Sequence, residues 1–174
     1  MLMDMLLIGA WALATLWACV LVHEAGHYLA GLAAGLSPRT MAIRLRRPPH
    51  VALRDGDTWR SPEEPEYVEV FRRSAPSGFA AWLFVAGGFL VETAVVLLAG
   101  VLLRGAGELS LVVVATSSVM FAIYLAGDAL GSVRRRRPQG DAGALWAIHR
   151  GATAVMVLTL TGVRAAAVVL ALPG

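Results

Sequence analysis

The sequence predicts an all-α membrane protein: four transmembrane helices, with a short cytoplasmic β-hairpin between the first and the second. Three observations carry this expectation. Hydrophobic residues make up 57 % of the 174 positions and the mean hydropathy is +0.67, far above a soluble chain of ordinary composition. Four apolar stretches are long enough to cross about 30 Å of hydrocarbon, which takes around 20 helical residues. The arginines gather in two of the loops between those stretches, as they do in loops retained in the cytoplasm.

The first span is read from about Met5 to Leu36, the second from about Gly78 to Leu103, the third from about Leu109 to Gly131 and the fourth from about Ala142 to Leu172. Glycine and proline punctuate the gaps at Ser37-Pro38, Pro76-Ser77-Gly78, Arg104-Gly105-Ala106-Gly107 and Pro138-Gln139-Gly140. Residues 1–174 then form one integral membrane domain, with cytoplasmic loops at 37–77 and 132–141. The loop 37–77 holds eight arginines and Arg134 to Arg137 add four more, against one at Arg104. The positive-inside rule therefore places both loops in the cytoplasm and both termini outside. Trp82 and Trp146 suit the interfacial aromatic belt, and the four-arginine run is read as topology signal and lipid-headgroup contact.

Within the first loop, Met41, Ile43 and Leu45 alternate with Ala42, Arg44 and Arg46, and Val51 and Leu53 resume after Arg47-Pro48-Pro49-His50. That period of two predicts the hairpin. Ser61-Pro62-Glu63-Glu64-Pro65-Glu66 reads as a solvated acidic loop. The net charge of +3 is small, every one of the fifteen cations is arginine, and nothing points to nucleic acid. A single cysteine excludes an internal disulfide. The N-terminus has Asp4 as its only side-chain charge and lacks the basic start of a secretory signal.

The chemistry is concentrated in the first span. His23-Glu24-Ala25-Gly26-His27 has the pattern H-E-x-x-H, which puts two imidazoles at i and i+4 on one helix face, within reach of one zinc ion. The glutamate between them is placed to act as general base toward water. Its flanks, Leu13 to Val22 and Tyr28 to Ala34, are almost wholly apolar. A charged residue central in hydrocarbon costs roughly 2.5–3.5 kcal/mol on insertion scales, so three ionisable groups there imply function.

A catalytic zinc site takes three protein ligands and keeps one position open. The residues offer Cys19, His50, Glu92, Asp128, Asp141 and His149 for the third place. Cysteine packs as a small hydrophobe more often than it ligates. His50 and His149 look solvated or interfacial, and Glu92, in mid-span, needs a partner, either the polar network of the site or Arg164 of the fourth span. Asp128 closes the third span, and Asp141 opens the fourth, where the helix dipole favours its charge.

H-E-x-G-H in a first transmembrane helix, followed by a short β-type loop, resembles the site-2 protease family of intramembrane zinc metalloproteases. The resemblance runs from about Val22 to Leu145. That family has A-G-P-x-x-N in a following helix, where this chain has Ala86-Gly87-Gly88-Phe89-Leu90-Val91-Glu92. It also has an Asn, a Pro and then Asp-Gly at a helix start, where this chain has Gly127-Asp128, Pro138 and Gly140-Asp141-Ala142-Gly143. Gly88 thus stands in place of proline, Val91 and Glu92 in place of asparagine, and Ala142 in place of glycine. The resemblance implies one Zn2+ per chain held by His23, His27 and Asp141, with Asp128 as the alternative ligand. It implies Glu24 as catalytic residue and cleavage in or near a transmembrane segment of a membrane protein substrate.

The expected activity is that of a zinc metalloendopeptidase, in a minimal form with no recognisable regulatory domain, its site toward the cytoplasmic side of the bilayer. The hairpin either offers an edge strand to an unwound substrate or is a plain structural cap on the membrane surface. Two other readings belong to different classes. One is an inactive zinc-binding relative that regulates a membrane partner. The other is a membrane scaffold or small transporter with a buried polar cluster, although the four spans show no internal duplication of the kind common in transporters. Gly31 and Gly35 form a small-xxx-small pair that could pack helices.

Overall fold

In a computed structural model the structure describes residues 2–46 and 48–172; Arg47, which the hairpin reading spans, lies outside them. In chain order the elements are α1 (Leu2–Ala33), β1 (Met41–Arg44), β2 (His50–Asp55), β3 (Thr58–Arg60), α2 (Pro65–Ser74), α3 (Gly78–Leu102), α4 (Glu108–Arg135), α5 (Gly140–Ile148) and α6 (Arg150–Ala171). Among the described residues four helices, α1, α3, α4 and α6, are long and apolar enough to cross a membrane. The chain is therefore a multi-pass membrane protein. Large apolar side chains such as Leu6, Trp11, Leu98, Ile123, Leu158 and Leu170 stand exposed on these helices, as lipid-facing residues do. The chain divides into two compact units, Leu21–Val91 and Met1–Val20 with Glu92–Gly174.

The first unit holds the sheet. The expected hairpin is present, with Met41 opposite Leu53 and Ile43 opposite Val51. A third strand follows the Asp55-Gly56-Asp57 turn, giving an antiparallel sheet of order β1-β2-β3. Central strand β2 is buried on both faces, at Val51, Ala52 and Leu53. One cover is α2, in the segment read from sequence as the end of an acidic loop and its approach to the second span. Pro65 fits its first turn, where no amide donor is needed. Tyr67, Val70 and Phe71 then fall on one helix face. The Tyr67 hydroxyl donates to the Val51 carbonyl at 3.0 Å, Val70 is buried, and the Phe71 ring meets Phe84 with centroids 5.0 Å apart. Charge at Glu63, Glu64 and Glu66 hides this stripe from a composition-based reading.

The second unit is built around Arg164. Its guanidinium donates from Nη2 to Glu92 Oε1 at 2.9 Å, from Nε to Thr93 Oγ1 at 3.0 Å and from Nη1 to the Ser117 carbonyl at 3.0 Å. Its Cζ lies 4.6 Å from the centroid of the Phe121 ring. One buried cation thus ties α3, α4 and α6, and both members of the ion pair are 2 % exposed. Glu92 therefore has the partner the sequence offered it. Beside this hub Cys19, Val96, Val114 and Met120 form an apolar cluster.

Three spans differ from the sequence reading. Helix α1 runs Leu2–Ala33 rather than from about Met5 to Leu36. Helix α4 runs past Gly131 to Arg135, its last turn carrying Arg134 and Arg135, whose charge suits a helix C-terminus. The fourth span is broken into α5 and α6. At His149 the backbone turns extended (φ −154°, ψ 93°) and the ring Nδ1 accepts the Ala152 amide at 3.1 Å, starting a new helix. No proline marks the break, and a hydropathy window cannot see a cap.

The Arg164 hub predicts an asymmetric mutational response. Glu92→Ala strands a buried guanidinium and should cost about 3–5 kcal/mol, whereas the joint change Glu92→Leu/Arg164→Met should cost much less. Thermal or denaturant unfolding in detergent measures both. Equal losses would show that the ion pair is not what the core is organised around.

Candidate metal centre

His23 and His27 lie one turn apart on α1 and are each 5 % exposed. Glu24 between them is partly exposed. What fixes the two rings is the approach of α3. A Cβ on Gly26 would collide with the carbonyl of Gly87, and one on Gly87 would meet the Ala30 side chain and, at 2.5 Å, the Gly26 oxygen. The two helices touch backbone to backbone at a point where only glycine fits. That contact sets His27 Nδ1 3.0 Å from the Phe84 carbonyl oxygen. A carbonyl oxygen only accepts, so Nδ1 carries the proton and Nε2 is the ring nitrogen that bears the lone pair. Ligating histidines usually make such an outer hydrogen bond, which fixes tautomer and ring direction. The His27 ring stacks on Phe84 at 5.7 Å, and the His23 ring meets His27 and Phe89 edge-on at 4.7 and 4.9 Å.

Asp141 is the second residue of α5, one past the helix start rather than the N-cap that the sequence suggests; Gln139 occupies the N-cap and offers no side-chain cap. Asp128 supplies the cap from the preceding helix: its Oδ2 accepts the Ala142 amide at 2.9 Å. The chain passes this carboxylate at Gly140, with φ +59°, where a Cβ would fall on Asp128 itself. Ser132 Oγ accepts the Gln139 amide at 2.9 Å, and Arg135 donates to the Gln139 side chain at 3.1 Å. The two aspartates the sequence left as alternatives thus do different things. Asp128 holds the α5 start; Asp141 sits on it.

One potential ligand atom from each of His23, His27 and Asp141 lies within 4.8 Å of the other two. Two imidazole nitrogens and a carboxylate oxygen are a zinc-type donor set. The remaining candidates are engaged elsewhere. His50 uses Nδ1 on the Pro48 carbonyl at 3.1 Å and Nε2 on the Ser61 hydroxyl at 3.0 Å. Cys19 belongs to the apolar cluster, Glu92 to Arg164, and His149 to the α6 cap. Sequence reasoning missed the Phe84 carbonyl, which has no side-chain signature, and the part played by Gly87, whose only signal was an adjacent pair of small residues.

No family profile, no curated protein and no solved structure matches this chain. Fold and site together define a multi-pass membrane protein with a possible His/Asp metal site.

Metal analysis of the detergent-purified protein tests the division of labour. Wild type should carry about one zinc per chain, and Asp141→Ala should lose it. Asp128→Ala should retain zinc with affinity lowered about tenfold, the usual scale for removing an outer partner. Loss in the Asp128 variant and retention in the Asp141 variant would reverse the assignment.

Proposed function

We propose that the protein is a zinc-dependent intramembrane endopeptidase of the site-2 protease type, cleaving in or near a transmembrane segment of another membrane protein. The observation that carries this reading is that His23 and His27, with Glu24 between them, lie on a helix of membrane-spanning length and hydropathy and group with Asp141 of α5. Zinc, when bound, supplies Lewis-acid polarisation of a carbonyl oxygen and water that is nucleophilic at neutral pH. His23, His27 and Asp141 are the residues that would hold it. Glu24 takes the proton from the attacking water and delivers it to the departing amine. Phe84 and Phe89 line the histidines with apolar surface, which keeps water from that side.

The substrate's helix hides its carbonyls in i to i+4 bonds and must unwind before cleavage. Strand β1 is an edge of the sheet. The Arg54 amide bonds the Thr40 carbonyl at 3.0 Å, so in the antiparallel alternation Met41 and Ile43 direct their backbone groups to the open side. An unwound segment would pair there. The two arginine-rich loops are assigned to the cytoplasm, both termini to the opposite side and the site to the cytoplasmic half of the bilayer, on the positive-inside rule.

Two variants test the reading with a membrane-embedded reporter. Glu24→Gln should keep its zinc and lose cleavage by about a hundredfold or more. Zinc without cleavage in the wild type would favour instead the inactive metal-binding relative, and no zinc at all a scaffold. Ile43→Pro, which removes an outward amide, should keep zinc and impair cleavage; cleavage at the wild-type rate would remove β1 from substrate binding.

A further inference from the structure

The rings of His23 and His27 fill the space that a side chain at position 88 would take. A Cβ on Gly88 would lie 2.6 Å from His23 Nε2, 2.8 Å from His23 Cε1 and 2.8 Å from His27 Cε1. Favourable contacts between carbon and its neighbours fall at about 3.5–4.0 Å, so the rings would have to move. They have little freedom to do so. His27 is tied through Nδ1 to Phe84 and stacked on its ring, while His23 is wedged against His27 and Phe89. Withdrawing α3 locally would break the backbone packing of the neighbouring Gly87 on Gly26.

From this geometry we propose that Gly88 is a positioning residue: its missing side chain is what allows both imidazoles to stand together against α3. Phe84 orients one ring through its carbonyl, Phe89 bounds the other, and Gly88, between them in sequence, supplies the room. The effect on ring placement stands on packing alone; the effect on metal affinity rests on the metal-binding reading above. Glycine is among the poorest helix formers and alanine the best, so at an open helical position alanine stabilises. At position 88 the sign should invert, and it should invert only while the histidines are present.

The test is a cycle of thermal unfolding midpoints in detergent, on chelator-treated protein. The set is wild type, Gly88→Ala, His23→Ala/His27→Ala and the triple variant. Gly162→Ala serves as control, since a Cβ there meets nothing. Gly88→Ala should lower the midpoint in the wild-type background and leave it unchanged or raised when both rings are gone. Zinc titration of Gly88→Ala should show affinity reduced by about tenfold or more. Should Gly88→Ala alone fail to accumulate, recovery of folded protein in the triple variant is the same result. Equal loss in both backgrounds, or no loss in either, overturns the proposal. Coupling in the chelated series together with a wild type that takes up no zinc would leave Gly88 as the residue that places the rings and overturn the metal reading instead.

Discussion

Everything about the histidine pair depends on the absence of side chains where α1 meets α3. Gly26 and Gly87 let two helix backbones touch, and the touch brings a histidine nitrogen within bonding distance of a carbonyl already committed to a helix. In lipid there is no hydrophobic force to press helices together, since the tails are as apolar as the side chains; close packing of small residues replaces it. The same face continues at Gly31, against which Met41 of the sheet and Phe84 of α3 both rest. The motif helix is thus held at its glycines and ring faces.

A second constraint is that polar groups buried among apolar spans need partners, and the chain meets it in distinct ways. Arg164 spends its guanidinium on Glu92, Thr93 and the Ser117 carbonyl. That network binds helices to each other. Asp128 spends an oxygen on the α5 amide, closing off a helix end that would otherwise present unsatisfied donors. His27 spends its Nδ1 proton on Phe84, and that bond dictates which nitrogen bears the lone pair. The distinction between structural and chemical polar groups here lies in what each hydrogen bond leaves the residue able to do.

Much of this was legible in the residues. Length and hydropathy revealed the spans, because about 20 apolar residues have few other uses. Alternation revealed the hairpin, and the i, i+4 spacing put both imidazoles on one face. What escaped had weaker local signals. Helix α2 was masked by the glutamates around Pro65, although Tyr67, Val70 and Phe71 keep helical spacing. The break at His149 is made by a side-chain cap, at a His149-Arg150 pair that reads from sequence only as interfacial. The third strand is three residues long. Asp141 is preferred to Asp128 for its place at a helix start, but nothing local shows that Asp128 caps that start.

The sequence by itself determined that the chain resides in a membrane, which helix carries its histidines and that they face the same way. These properties depend on composition and on the pitch of one helix, both local. The tertiary structure decided that Asp128 caps α5, that Glu92 answers Arg164, and that Gly87 and Gly88 matter for different reasons, one for a backbone and the other for two rings. Those outcomes depend on how residues from separate elements meet, and such meetings are fixed by steric fit and hydrogen-bond geometry that no single segment contains.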